Sequence, residues 1–303
     1  ELKCLGFGYR GQGHDYPFPI IPAANFQEIW AMLKNLESLW KFDVLIVALD
    51  VPLQEQILMR IKDREFKYIG IMPIEADPLC ASWAMVLMLM DKAFIISEFG
   101  ANEAKEAGVE AEHIQIGIDT NLWRKPIQEE RTQIRKAMLG LDDDAFLVLT
   151  VADNQERKNL SKAMEIFAGF AEGKDNVRWV LVTRENNMVG WKLRDLAEMY
   201  KINNKLMIFE RGMSFKELWS LYAASDCFLL TSKAEGLGMP ILEAMSVGLP
   251  VLATNVTGMH ELIADGRGIP LDYDYVYIDP FGNGNRYFTN AESGMVALEA
   301  VYS

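Results

Sequence analysis

The chain has little cysteine and little histidine, no excess of basic charge, and no apolar run long enough to span a bilayer. Each shortage removes a class of function. Its three cysteines, Cys4, Cys80 and Cys227, stand far apart and form neither a C-x-x-C pair nor a zinc-ligand spacing. That pattern excludes a disulfide scaffold and points to a reducing, cytoplasmic compartment. Cys4 and Cys227 fall in apolar runs, where a small buried hydrophobe is expected. The three histidines, His14, His113 and His260, are too scattered for a triad or a metal site. Against 43 Asp plus Glu there are 30 Lys plus Arg, a net charge of −13, so nothing draws the chain as a whole to nucleic acid or anionic lipid. Any anionic ligand must be held by local devices. The longest apolar stretch, 81–90, is cut by Asp91 and Lys92 and is too short for a membrane span. It reads as a buried helix feeding a strand, with a peripheral membrane contact as the lesser alternative. No basic region followed by an apolar one opens the chain, so no secretion signal is expected.

What is present is a globular composition, 50% hydrophobic and 24% charged over 303 residues, enough for two domains. Strand and helix signals alternate. Strands are expected at 44–49, 68–72 and 94–97, with helices at 53–61, 82–90 and 98–107. A mixed-charge segment containing Pro126, 119–130, reads as a connection. A second series follows, with strands at 146–151, 179–183, 206–209, 227–230 and 251–253 and helices at 160–170, 191–200, 215–223 and 239–247. Continuous apolar strands between helices predict parallel sheets covered on both faces, the doubly wound α/β arrangement. Two such Rossmann-like domains in tandem turn the C-terminal ends of their strands toward a central cleft. The expected boundaries are 1–122, 123–285 and a C-terminal segment, 286–303, open to returning toward the first domain.

The stretch SKAEGLGMPILEAMSVGLPVLATNVTGMHE, 232–261, follows a strand and opens a helix. Gly236 and Gly238 let the backbone come close to a ligand, and Pro240 is tolerated in a first helical turn. Amides without intrahelical partners and the positive end of the helix dipole then face whatever lies above the strand, and a diphosphate suits them. Glu235 and Glu243 flank the turn with seven residues between them. A carboxylate accepts two hydrogen bonds, so each matches a pair of neighbouring sugar hydroxyls. The plain alternative is a glycine-rich turn with Glu235 at a helix end and Glu243 exposed.

These residues resemble the E-x7-E signature of the retaining GT-B glycosyltransferases, family 4-like, also described as glycosyl transferases group 1. The resemblance extends over most of the second half, through LTVADNQERKNLSKAMEIF and FERGMSFKELWSLYAASDCFLLTSKAEG, and reaches ISEFGANEAKEAGVEAEHIQIGIDTNLW at the end of the first domain. It implies a nucleoside-diphosphate sugar donor bound mainly by the C-terminal domain, with no metal and no cofactor. The expected reaction is transfer to a hydroxyl acceptor on a glycan, lipid or protein, with retention of configuration. Glu235 is then implied to meet the donor sugar, and Gly236, Leu237, Gly238 and Met239 to present amides to sugar and phosphates. Glu243 is implied to accept from the ribose, Gly212 to belong to the donor site, and Lys158 to neutralise the leaving diphosphate. Where the family commonly carries an Arg, five residues before the Lys, this chain has Asp153; Arg157 supplies the missing charge, or the loop is rearranged. With no base identifiable by spacing, a front-face mechanism is expected, in which the leaving phosphate takes the acceptor's proton.

The acceptor side is less explicit. Glu75 and Asp77 lie after a strand, where many members of the family place a His. Either one orients an acceptor hydroxyl or both are loop charges. His14, with Gly11 and Gly13, sits in a stretch that closes over the phosphates or is simply a loop. The D-x-D pairs Asp142–Asp144 and Asp272–Asp274 are poorly placed for a metal. A nucleotide-sugar epimerase and a non-catalytic nucleotide-sugar-binding subunit are the rival readings, and acceptor-dependent release of nucleoside diphosphate separates all three.

Overall fold

The computed structural model describes residues 2–7, 18–61 and 63–303. A short parallel pair, β1 (Cys4–Phe7) and β2 (Ile20–Ala23), precedes α1 (Phe26–Trp40). A four-stranded parallel sheet follows in the order β3 (Val44–Ala48), β4 (Lys67–Met72), β5 (Lys92–Ile95) and β6 (Glu112–His113). The intervening helices are α2 (Val51–Leu58), α3 (Ala81–Met88) and α4 (Glu98–Glu106). After the connection, α5 (Gln128–Ile134) leads into the second half through β7 (Phe146–Val151), α6 (Leu160–Phe170), β8 (Val177–Thr183), α7 (Leu193–Met199) and β9 (Leu206–Glu210). It continues with α8 (Phe215–Ala224), β10 (Cys227–Leu230), α9 (Met239–Val247), β11 (Val251–Thr254), α10 (Thr257–Ile263) and β12 (Ile269–Leu271). An antiparallel hairpin of β13 (Tyr273–Ile278) and β14 (Asn285–Thr289) and a last helix, α11 (Ala291–Tyr302), complete the chain. The α/β class and the parallel sheets are as the alternation required.

Local chemistry accounts for these elements. β7 is apolar on both faces, with Leu147, Val148 and Leu149 fully buried, as a central strand covered by two helix layers must be. In α6, Leu160, Ala163, Met164, Phe167 and Phe170 recur at helical spacing and are all buried. α8 opens on a capping box in which Ser214 Oγ accepts from the Glu217 amide at 3.3 Å and Glu217 Oε2 accepts from the Ser214 amide at 2.8 Å. The connection is fastened to the second half by Trp123, which lies edge-on to Phe215 and Tyr222 at 4.9 and 5.1 Å. Cys227 is buried as expected, whereas Cys4 is only half-buried.

α1 is absent from the sequence expectation although Phe26, Ile29, Trp30 and Leu33 recur at helical spacing, with Ile29 and Leu33 buried. α11 packs on α6 rather than on the first sheet. β14, just before it, does reach the first half, where Tyr287 Oη donates to Asp77 Oδ2.

The six strands of the second sheet run β12-β11-β10-β7-β8-β9. The chain moves outward from β7 to β9, then jumps back to β10 and continues on the other side. Neighbouring β7 and β10 therefore send their following loops in opposite directions. That is the switch point at which open parallel sheets form a crevice beyond their strand ends.

Candidate active site

The two loops leaving the switch point meet. After β7 the chain makes a single turn, Glu156–Lys158, and Asn159 starts α6 with a left-handed φ of 53°. The amide of Lys233, after β10, donates to the carbonyl of Arg157 at 2.8 Å, which locks the loops together. Glu235 is thereby set against both cations. Arg157 Nη1 donates to its Oε2 at 2.8 Å, and Lys158 Nζ and Ser232 Oγ donate to its Oε1, the latter at 2.6 Å. Burial alone would raise the Glu235 carboxyl, but Arg157 and Lys158 hold it down at about 2. Burial pushes the Lys158 ammonium down against the pull of Glu235. Two half-buried cations thus converge on one buried carboxylate, a placement from which positive charge can meet an anionic ligand.

The backbone beside this trio is shaped for close approach. Gly238 takes φ +97°, a left-handed conformation that favours glycine, and passes the chain into α9 with Pro240 in its first turn. Behind it, a methyl group at Gly258 would fall 2.5 Å from the carbonyl oxygen of Gly236, so only glycine fits. Thr257, β-branched and at φ +49°, turns its Oγ1 to accept from the Glu235 amide at 3.0 Å. Met239 and Pro240, in the first turn of α9, line the cleft, and the Ile241 amide behind them donates to the Gly238 carbonyl at 2.8 Å.

That cleft encloses about 650 Å³ between the two halves. One side carries Arg157, Lys158, Glu235 and the run Gly236 to Pro240; the other carries Asp50, Pro73, Glu75 and Trp83. Arg157 spans it, with its Nε 3.1 Å from Glu75 Oε1. Burial raises the Glu75 carboxyl, opposed first by Arg157.

Of the residues singled out by the sequence, Glu235, Lys158, Arg157, Gly236, Leu237, Gly238, Met239 and Glu75 line this single cleft. Arg157 is a half-buried bridge between Glu235 and Glu75. Glu243 is not in the lining; it sits on α9, half-buried, and its Oε2 accepts from Tyr222 Oη at 2.6 Å. Gly212 follows β9, away from the lining, with φ +93°. Asp77 is turned from the cleft toward β14, where its carbonyl accepts from the Asn285 amide at 2.7 Å. His14 lies outside the described residues. Asp153 is clasped by Arg184, whose Nε donates to its Oδ1 at 2.8 Å, and by Arg211 at 3.3 Å. Of the D-x-D residues, Asp143, between the two members of the first pair, accepts from Thr132 at 2.8 Å, and Asp274 accepts from Asn290 at 2.5 Å.

Sequence reasoning missed Asp279, Phe281 and Arg286, which the β13–β14 hairpin brings to the cleft. The Pro-Phe-Gly-Asn-Gly run between two aromatic strands marks a hairpin turn, but nothing local says where its tip points.

Residues 131–272 match the family described as Glycosyl transferases group 1. Over 113 residues the chain is 37% identical to the O-antigen chain mannosyltransferase B of Escherichia coli, a stretch covering 37% of this chain and 26% of that protein. Among solved structures, sucrose-phosphate synthase from Thermosynechococcus elongatus superposes with a TM-score of 0.73 at 15% identity, covering 94% of this chain and 72% of that one. The Anabaena protein HepE in complex with UDP-glucose gives 0.66 at 18% identity, covering 82% and 70%. The chain matches well under two thirds of the length of the curated relatives, 26% and 22% of the first two. With this sheet order, this switch-point cleft and these likenesses, residues 131–272 are similar to the glycosyl transferases group 1, and the fold of the chain is that of the GT-B glycosyltransferases.

Proposed function

We propose that the protein transfers a sugar from a nucleoside-diphosphate sugar to a hydroxyl acceptor, with retention of configuration and without a metal. The observation that carries this reading is the placement of Glu235, Lys158 and Arg157 opposite the first turn of α9 at the switch point. The amides of 236–239 hold the phosphates, and Lys158 and Arg157 offset the charge that grows on the leaving diphosphate. Two fixed cations supply what a divalent ion would otherwise contribute. Glu235, kept ionised by its neighbours, accepts hydrogen bonds from the donor sugar and fixes its anomeric carbon. Glu243, oriented by Tyr222, accepts from the ribose, and Gly212 belongs to the base side of the same site. UDP-glucose in the structure of the Anabaena neighbour supports a nucleotide-sugar donor.

The bond from the anomeric carbon to the phosphate oxygen breaks while the acceptor oxygen bonds to that carbon on the same face. The acceptor's proton passes to the departing phosphate oxygen, so no protein base is needed. The test is incubation with UDP-, GDP- and ADP-sugars and a panel of glycoside acceptors. Release of nucleoside diphosphate should depend on acceptor, survive a chelator, and give a product of unchanged anomeric configuration by NMR. An inverted product, loss of turnover with chelator, or a trapped covalent glycosyl-enzyme would overturn this mechanism.

A further inference from the structure

The β13–β14 hairpin belongs to none of the parallel sheets, and its tip is anchored across the cleft onto the first half of the chain. Arg286 is the anchor: although only 1% exposed, it donates from Nη1 to the Glu75 carbonyl at 3.2 Å and from Nη2 to the Phe281 carbonyl at 3.3 Å. At Gly282 a methyl group would fall 2.8 Å from the ring of Trp83, so the tip is pressed against that side chain. Phe281 meets Trp83 edge-to-face at 5.2 Å and stays 46% exposed at the cleft. Asp279 is held facing the same space by the Phe281 amide at 2.7 Å and by Tyr277 Oη at 3.1 Å. Arg286 is among the residues lining the cleft, and its Nε is buried without a hydrogen-bond partner.

We propose that this hairpin tip is an acceptor subsite and that it takes the ring of a neutral sugar; the inference rests on the donor reading given above. An exposed aromatic face beside fixed carboxylates is the chemistry that recognises a pyranose, whose C–H face packs on the ring while its hydroxyls donate to the carboxylates. A phosphorylated or carboxylated acceptor is disfavoured. Asp279, Glu75 and Asp50 line that side, and the nearby cations Arg157 and Lys158 are already engaged by Glu75 and Glu235.

The experiment is saturation-transfer NMR on the whole chain with methyl α-glucopyranoside, methyl α-mannopyranoside and glucose 6-phosphate. Phe281→Leu and Phe281→Ala are compared with the parent protein. The Leu variant keeps the apolar bulk against Trp83, so a folding defect in the Ala variant does not decide the outcome. The parent should saturate at least one neutral glycoside and not the phosphate ester, with affinity about threefold to tenfold weaker in both variants. Thermal stabilisation by UDP-, GDP- or ADP-sugars is measured in parallel and should be the same in all three proteins. Glycoside signals unchanged by Phe281→Leu, no glycoside bound by the parent, or preference for the phosphate ester would overturn the subsite. Failure of every nucleotide sugar to stabilise the protein would count against the donor reading instead, and the glycoside signals would still judge the hairpin.

Discussion

Arg157 holds Glu235 and Glu75 at once, with Nη1 2.8 Å from one carboxylate and Nε 3.1 Å from the other. One guanidinium thus joins the donor side of the cleft to the first half of the chain. Replacing Glu235 by Gln removes the anion that compensates Arg157 and Lys158 in a buried place. Such a loss costs about 3–5 kcal/mol, and the midpoint of urea unfolding should fall accordingly. If Glu235 fixes the anomeric carbon as proposed, transfer should fall by about a hundredfold or more.

Acid should act through the same residue. The Glu235 carboxyl is lowered from 4.5 to about 2, so its contribution to stability is complete above pH about 4.5. It is lost as pH falls through about 2, and amounts to roughly 3 kcal/mol. Denaturation followed between these limits should show a steeper loss in the parent protein than in Glu235→Gln. Equal slopes would count against the ion pairs.

The turn tolerates no added carbon where its strands of backbone touch. Gly258→Ala places a methyl group against the Gly236 carbonyl, which must push the donor turn outward. Gly238→Ala forces an L side chain into φ +97°, a cost of about 1–2 kcal/mol. Both variants should lose most of the thermal stabilisation given by a nucleotide sugar. The first should do so with the greater rise in donor KM, since its clash bears on the amides themselves.

Lys233, 2% exposed, pairs with Glu156 and stands 3.9 Å over the Phe288 ring. Burial pushes its ammonium down. Lys233→Met keeps the length and deletes the buried charge, leaving half-exposed Glu156 to water, so stability should change by no more than about 1 kcal/mol. Glu156→Ala strands the ammonium and should cost about 1–3 kcal/mol. Thermal melts of the two variants check this asymmetry.

Asp153 stands where the family resemblance calls for Arg, and the structure gives it two arginine partners. Hydrogen bonding from Arg184, against the opposing effect of burial, holds its carboxyl at about 2. Asp153→Ala should cost roughly 1–3 kcal/mol. Asp153→Arg should cost more, because a third cation then faces Arg184 and Arg211. A more stable Arg variant would show that the loop accepts the family's residue.

Much of the second half was legible because its signals are local. The strands at 146–151 and 227–230 and the helices at 160–170 and 239–247 fall where apolar runs and helical periods put them. α10 was not legible, since its stability comes from contacts made elsewhere in the chain; the β13–β14 turn was legible but its placement was not, and α1 was legible from Phe26, Ile29, Trp30 and Leu33 at helical spacing. In the site, the glycine turn and its flanking Glu235 could be read from residue chemistry alone. The resemblance added Lys158. Glu75 stood as one of two equal carboxylates until Asp77 proved to be turned toward β14 and Glu75 toward Arg157.

Two series of buried strands and helices and a turn able to grip an anion follow from residue order, because periodicity and backbone permissiveness are properties of neighbouring residues. Which charges meet depends on the folded arrangement. Arg157 and Glu235 are 78 residues apart, and Arg286 and Glu75 are 211 apart. Such pairs form only after the order of strands places two loops at one switch point and a hairpin folds back across it. Once they are drawn out of water, burial and pairing fix each group's charge, and neither acts on a residue read in isolation.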